Sequence, residues 1–354
     1  MTDERIVVVG AGYAGLATAT RAGRHREVTL IAPEERFLHR VRQHETAAGR
    51  PEHRPALADL VRGSRVTRVP AEVTAIDLAA RTLHTDTAGP VPYDVLVYAL
   101  GSRTAFHGVP GAAEHSYPAE RAAALHRRLA ASPGPASLAV VGGGATGIEM
   151  AAELAEAHPE HRVRLVAAGR AGGWLSARGQ RHVRRALHRL GVTIDDGRTV
   201  TAVTPGGLET DRGPVPADAV VWAASMEPHP LAAEAGLDVT AGGQVVVDEH
   251  LRSVSHPEVY AVGDAAAVTL PGRGALRMGC ATALPMGTYL GRVLAGRTPR
   301  PFAFSYAAQC LSLGRRDGLL QLVRADDSMR PLVLTGTPGR LVKAAIVRAV
   351  TPRS

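Results

Sequence analysis

Two short, unbroken apolar runs organise the chain, each followed by a glycine-rich turn and an alanine-rich stretch. The first, Arg5-Ile-Val-Val-Val-Gly10, does not alternate between apolar and polar. That pattern predicts a strand buried on both faces, as in a parallel sheet. Gly10-Ala-Gly-Tyr-Ala-Gly15 follows, then the helix-compatible Leu16-Ala-Thr-Ala-Thr-Arg-Ala22, then a second strand at Val28-Thr-Leu-Ile31. Together these form a βαβ unit of the usual length of about 30 residues. The pattern returns 132 positions later, with the run Ser137-Leu-Ala-Val-Val-Gly142, the turn Gly142-Gly-Gly-Ala-Thr-Gly147, a helix from Ile148 to Glu156 and a strand at Val163-Arg-Leu-Val166. One supersecondary unit repeated at a single long offset reads as a duplicated domain rather than a solenoid.

Other stretches echo across the two halves. Tyr93-Asp-Val-Leu-Val-Tyr-Ala-Leu-Gly-Ser102 predicts a strand that ends in glycine, and Asp218-Ala-Val-Val-Trp-Ala-Ala-Ser225 is its counterpart. Val259-Tyr-Ala-Val-Gly-Asp264 predicts a strand that stops at an acid. Thr298-Pro-Arg-Pro301 reads as a boundary. Beyond it, Leu319–Val323 and Pro331–Thr335 predict antiparallel strands, and a helix is expected from about residue 339.

With 354 residues, 45% of them apolar and 21% charged, the chain has material for two or three domains and is not disordered. No apolar run approaches the roughly 18 residues of a membrane helix. The opening residues run straight into a strand, which leaves no room for a signal peptide. Both features predict a cytoplasmic protein, with contact at the inner membrane face as the alternative. Two cysteines exclude a disulfide scaffold and any Cys-rich metal module. The net charge of +8 changes little: Lys343 is the only lysine among 41 basic residues, and the arginines are scattered rather than blocked into a tail. No zinc-finger spacing or RNA-binding aromatic signature accompanies them, so no nucleic-acid partner is expected.

The glycine turns have a physical purpose. Gly10 permits a tight strand-to-helix turn, Gly12 allows the backbone to approach a pyrophosphate, and Gly15 lets helix and strand pack closely. The helix start then offers unpaired N–H groups and a positive dipole end to the phosphates. Gly142, Gly144 and Gly147 repeat this logic. In the first unit the acid that holds a ribose hydroxyl would stand at Ala32, and Glu34 and Glu35 follow it. In the second unit the strand runs on into Ala167-Ala-Gly-Arg170, again without an acid. Arg170 stands where a cation meets a 2′-phosphate, which points to NADPH over NADH. A solvated arginine and a site without nicotinamide are the alternatives. Asp264, at a strand's carboxyl end, is placed to accept from a polyol hydroxyl or to cap a helix.

The ordered set of GxGxxG, Tyr93–Ser102, GGGATGIE and Val259–Asp264 resembles the two-dinucleotide-binding-domain flavoproteins. Within these, the chain is most similar to the branch of type II NADH:quinone oxidoreductases and apoptosis-inducing-factor-like proteins. The resemblance spans nearly the whole chain. It implies an α/β fold with two Rossmann-like three-layer domains and a small α+β C-terminal domain. An FAD domain of residues 1–104 and 233–297 would be interrupted by an NAD(P)H domain of 105–232, with 298–354 forming the C-terminal domain. It also implies FAD and NAD(P)H as cofactors. Gly10, Gly12, Tyr13, Ala14 and Gly15 would hold the FAD pyrophosphate, and Val73 would meet the adenine through its backbone. Ala99, Gly101 and Ser102 would line the flavin side, and Gly263 and Asp264 would hold the ribityl chain. The helix starting near Ala281 would aim its N-terminus at the flavin N1/O2 edge. Glu149 would sit near the nicotinamide and the flavin, and NAD(P)H would lie on Gly142, Gly144, Gly147 and Arg170.

Departures from the family pattern shape the chemistry. Disulfide reductases carry a cysteine pair early in the chain, beneath the flavin, but residues 33–50 hold none, and Cys280 and Cys310 lie 30 positions apart. Dithiol chemistry is therefore not expected. Type II quinone reductases carry a glutamine pair over the flavin, where Cys280-Ala-Thr-Ala-Leu-Pro-Met-Gly287 offers Ala281 and Pro285. Ser225 stands where glycine is usual. Phe37-Leu-His-Arg-Val-Arg-Gln-His44 would be a helix beneath the flavin, with His39, Arg40, Arg42 and His44 binding an anionic substrate or relaying a proton, or else forming an exposed basic face. His107 is a weaker candidate of the same kind, while Gln309 and Cys310 read as structural. Arg181–His188 reads as solvated surface. Arg340–Val350 is basic and amphipathic, placed either on a membrane surface or against its own domain.

The expected activity passes hydride from NAD(P)H to FAD and then electrons to a small organic acceptor, a quinone or a pathway metabolite. The alternatives are a flavoenzyme acting on a dedicated metabolite without nicotinamide, a reductase of a ferredoxin-type carrier, and a redox-linked binding protein. A monomer or homodimer is expected.

Overall fold

The structure, a computed structural model, describes residues 4–52 and 54–351. Met1–Asp3, which entered the reading of the chain start, lie outside the described residues. The all-apolar run Ile6–Val9 is buried on both faces as the middle strand of a five-stranded parallel sheet. Val28–Ile31 and then Val66–Val69 lie on one side of it, with Val95–Tyr98 and then Val259–Ala261 on the other. The last of these strands returns to the first sheet after the whole second unit has been traversed.

The second sheet is built the same way around Ser137–Val141. Arg162–Ala167 and Thr193–Asp196 flank it on one side, and Ala219–Trp222 and Ser116–Pro118 on the other, all parallel. Each sheet also carries a three-stranded antiparallel meander, Val73–Asp77, Thr82–Thr85 and Val91–Pro92 in the first unit, and Val200–Thr204, Gly207–Thr210 and Val215–Pro216 in the second. The duplication thus extends beyond the βαβ unit. Ser102–Thr104 pairs antiparallel with Met226–Pro228 where the chain passes between the units.

The helices Tyr13–Ala22 and Cys280–Leu294 pack almost backbone to backbone. A Cβ on Gly287 would fall 2.2 Å from the Ala14 carbonyl oxygen, and one on Gly291 would fall 2.8 Å from that of Thr18. Thr18 Oγ1 adds a 3.2 Å hydrogen bond to the Gly287 carbonyl. Gly263 sits between Ala14 and Ala283, so both helices begin at the same place, beside the carboxyl ends of the first sheet.

The C-terminal part has the two expected strands, Gly318–Val323 and Met329–Thr335, and a third, Ala308–Ser312, that the sequence reading did not mark. The last helix spans Gly336–Val350, beginning earlier than expected, and rests on the middle strand where Gly318 and Gly339 meet. Leu332, Leu334, Leu341 and Ile346 are exposed. No helix among the described residues is long and apolar enough to cross a membrane.

Candidate functional site

The two glycine turns share the same close backbone approaches. Gly10 has φ +101° and lies against the Ala99 carbonyl, where a Cβ would come to 2.4 Å; Gly142 has φ +122° and the same relation to Ala223 at 2.3 Å. A Cβ on Gly15 or Gly147 would sit 1.9 Å from the carbonyl oxygen of its own first glycine. These four glycines are demanded by the protein's own backbone. Gly12 and Gly144 are not: both have negative φ, and a Cβ on either would meet no protein atom within 4 Å.

Both open glycines are helix N-caps without a side-chain cap, and neither helix has an acid in its first turn. Unpaired N–H groups and a positive dipole end therefore face open space at both turns, which is the donor set a diphosphate requires. The residues present fit a dinucleotide at each turn.

Around the first turn the remaining candidates converge. Asp264 Oδ2 accepts from Ser102 Oγ at 2.6 Å, and Oδ1 accepts from Gly279 N at 2.7 Å, at the start of the helix Cys280–Leu294. Asp264 thus ties the end of one sheet strand to the mouth of a second helix, and Ala281 lies in that helix's first turn. Gly101 and Gly279 also have space where a Cβ would go. Val73 is buried at the start of the first meander, just past the edge strand Val66–Val69.

The segment after Phe37 is not one helix. Arg40–Arg42 forms a 3₁₀ turn, followed by a short helix at Gln43–Ala47. Nor is it an exposed basic face, because His39 and His44 are buried. The Arg40 guanidinium bonds the Ser102 carbonyl and Glu120 Oε1, at 2.6 Å for the latter, while Glu120 also accepts from Thr104 Oγ1 at 2.7 Å. Tyr13 Oη and His39 Nδ1 are hydrogen-bonded at 2.6 Å, and His39 Nε2 and Thr351 Oγ1 at 2.7 Å. His107 is exposed with φ +50°. Gln309 bridges Trp174 and Asp327. The Arg181–His188 stretch is also not simply solvated: Val183, Ala186 and Leu187 are buried, and His182 Nε2 meets Asp317 at 2.8 Å.

The residue that sequence reasoning missed is Lys343. Its Nζ bonds Glu149 Oε1 at 2.8 Å, and the same oxygen accepts from Ser312 N at 2.8 Å. His44 Nδ1 lies 3.9 Å from the other Glu149 oxygen. Burial pushes the Glu149 carboxyl up, but Lys343, His44 and the Ser312 N–H together outweigh it and hold it below its ordinary value. Burial likewise pulls Lys343 down, and Glu149 reverses this and holds it above its ordinary value. Both groups are charged at neutral pH. Burial keeps His44 below its ordinary value, so its ring is neutral there. The one available signal was compositional, a single lysine in an otherwise all-arginine set of cations. Cys280 and Cys310, distant in sequence, lie within electrostatic reach of each other and of Lys343, and burial raises both thiols.

His158 and His229, like His44, are held below 6.5 first by burial. Each binds its proton less readily in the fold than in the unfolded chain. Their stabilising contribution is complete above about pH 6.5 and is lost as pH falls through the folded values. Unfolding midpoints in denaturant, measured from about pH 8 to about pH 5, are expected to hold steady and then decline below about 6.5. A midpoint that rises on acidification contradicts the assignment.

A family model described as pyridine nucleotide-disulphide oxidoreductase matches residues 4–286. The chain belongs to that family. An NADH dehydrogenase-like protein of Mycobacterium tuberculosis is 31% identical over 319 residues, covering 81% of this chain and 79% of its own. The type II NADH:quinone oxidoreductase of Staphylococcus saprophyticus is 26% identical over 359 residues, covering 89% of each. Among solved structures, NDH2 from Plasmodium falciparum in complex with NADH superimposes with a TM-score of 0.83 at 14% identity, covering 99% of this chain and 95% of that one. This member of the pyridine nucleotide-disulphide oxidoreductase family is an FAD-dependent oxidoreductase that uses NAD(P)H.

Proposed function

We propose that the protein passes the electrons of NAD(P)H to a quinone-type acceptor. The observation that carries the reading is the buried cluster of Glu149, Lys343 and His44, which begins one turn into the helix of the second glycine turn. Reducing a quinone to a quinol takes two electrons and two protons. The balance is one NAD(P)H, one proton and one quinone giving one NAD(P)⁺ and one quinol. FAD, when bound, supplies the hydride acceptance and the onward transfer.

The chain's own residues position and protonate. Gly10, Gly12, Tyr13, Ala14 and Gly15 would cradle the FAD diphosphate, with Val73 at the adenine. Ala99, Gly101, Ser102, Gly263, Asp264 and Ala281 would surround the flavin end. Gly142, Gly144, Gly147 and Arg170 would take NAD(P)H. We assign proton transfer to the cluster of Glu149, Lys343 and His44. At neutral pH the Lys343 ammonium carries the cluster's proton, and the Glu149 carboxylate and the neutral His44 ring are the groups that can accept it. Arg40 acts as a positioning residue by bonding Ser102. The names of the mycobacterial and staphylococcal relatives support the nicotinamide and quinone assignments. The exposed leucines of the C-terminal part give this reading a face for a lipid-dissolved acceptor.

The test is anaerobic stopped-flow spectroscopy. NADH or NADPH should bleach the flavin, and a short-chain benzoquinone should restore its colour. Glu149→Gln should slow only the second phase, by about 100-fold, the scale of a lost general acid or base. A flavin that neither nucleotide bleaches overturns the nicotinamide half of the reading. A reduced flavin that no quinone reoxidises overturns the acceptor half.

A further inference from the structure

We infer that the second glycine turn selects NADPH over NADH, an assignment that rests on reading that turn as the nicotinamide site. A dinucleotide lying on a glycine turn presents its adenosine ribose to the end of the neighbouring strand. NADH brings a 2′-hydroxyl, which is held by a carboxylate. NADPH brings a 2′-phosphate, which a carboxylate repels and a guanidinium holds.

Here the neighbouring strand, Arg162–Ala167, ends without an acid, and Ala168, Gly169 and Arg170 after it are exposed. The loop does not drift away from the turn. Gly172 N donates to the Gly143 carbonyl at 2.9 Å, Gly173 N donates to that of Arg170 at 2.9 Å, and a Cβ on Gly143 would lie 3.0 Å from Ala171 Cα. Arg170 is thus held in a short turn fastened to the glycine loop itself. Its guanidinium has no hydrogen bond or ion pair among the described residues.

The next strand, Thr193–Asp196, ends in two acids. Both are engaged. Asp195 Oδ2 accepts from Arg164 at 2.7 Å and from Arg198 at 3.2 Å. Asp196 Oδ2 accepts from Arg184 at 2.5 Å, and its Oδ1 accepts from Ala171 N at 2.9 Å. Asp196 therefore has both oxygens committed, one of them to the loop that carries Arg170. Arg164, Arg184 and Arg198 are committed to these two carboxylates, and Arg170 is not. A ribose diol finds no free carboxylate charge here, whereas a phosphate finds an excess of positive charge and a free fork.

The test uses the FAD-loaded protein, so that the first turn is filled, and calorimetric titration with 2′,5′-ADP and with 5′-ADP. The phosphorylated fragment is expected to bind about tenfold tighter or more, the scale of one charge-assisted contact. That preference should shrink as salt is raised. Arg170→Ser should collapse the difference while the bound flavin's absorbance is retained. Equal affinities, tighter binding of 5′-ADP, or a preference that survives Arg170→Ser overturns the assignment while leaving the nicotinamide site standing. If neither fragment binds and neither reduced nucleotide bleaches the flavin, the site itself is refuted and this assignment falls with it.

Discussion

Gly12→Val is expected to give a folded protein that has lost its flavin. The backbone at Gly12 is extended, with φ −71° and ψ −170°, a conformation valine adopts readily. No protein atom lies within 4 Å of the new Cβ. The fold therefore does not resist the new Cβ, and the side chain extends into the space in front of the helix N-terminus. Filling that space should weaken FAD binding by about 100-fold or more, taking the upper end of the usual overpacking cost.

The neighbouring glycines should behave in the opposite way. A Cβ on Gly15 would sit 1.9 Å from the Gly10 carbonyl oxygen, so Gly15→Ala forces strand and helix apart and should cost about 3 kcal/mol of stability. The second turn predicts the same split. Gly144→Val should keep the flavin and lose NAD(P)H binding, and Gly147→Ala should destabilise the fold. Visible absorbance after purification and a denaturant melt separate the outcomes. A yellow, stable Gly12→Val protein would mean that the diphosphate lies elsewhere.

This contrast also marks how far the sequence could be read. The glycine turns were legible because each is local: strand, turn and helix fall within a few tens of residues, and the constraints act between near neighbours. The return of Val259–Ala261 to the first sheet was anticipated only through family resemblance, since no local pattern says which sheet a short apolar strand joins. Ala308–Ser312 was missed because it is stabilised by pairing with Gly318–Val323 rather than by its own alternation of residues. Arg40 and His44 were chosen for their chemistry, but their surroundings were not visible. Arg40 finds its partners at Ser102 and Glu120, and His44 is buried against Glu149, contacts that span from 62 to more than 100 positions. The basic, amphipathic pattern of the last helix was visible, yet it hid an inward-facing cation at Lys343 and a terminal link through Thr351 and His39 to Tyr13.

Lys343→Met is expected to cost about 3–5 kcal/mol, the usual penalty for leaving one member of a buried ion pair without its partner. The ammonium is the strongest of the influences that keep Glu149 charged against burial. Without it, burial dominates and the Glu149 carboxyl should rise above its ordinary value. The pH dependence then reverses in sign. In the native protein Glu149 titrates below its unfolded value, so its contribution is present above about pH 4.5 and is lost as pH falls. In the variant the folded protein binds the proton more tightly than the unfolded chain does. Stability is then recovered as pH falls through the raised value. The difference in unfolding free energy between native protein and variant should therefore narrow from about pH 7 to about pH 5. The His158 and His229 contributions are common to both proteins and cancel in the comparison, whereas His44, which Lys343 helps to hold down, is released by the substitution and adds to the narrowing. Adding Glu149→Gln should recover most of the loss at neutral pH, because no uncompensated charge then remains. A variant as stable as the native protein, or a gap that widens on acidification, would show that Lys343 is not the counter-charge of Glu149.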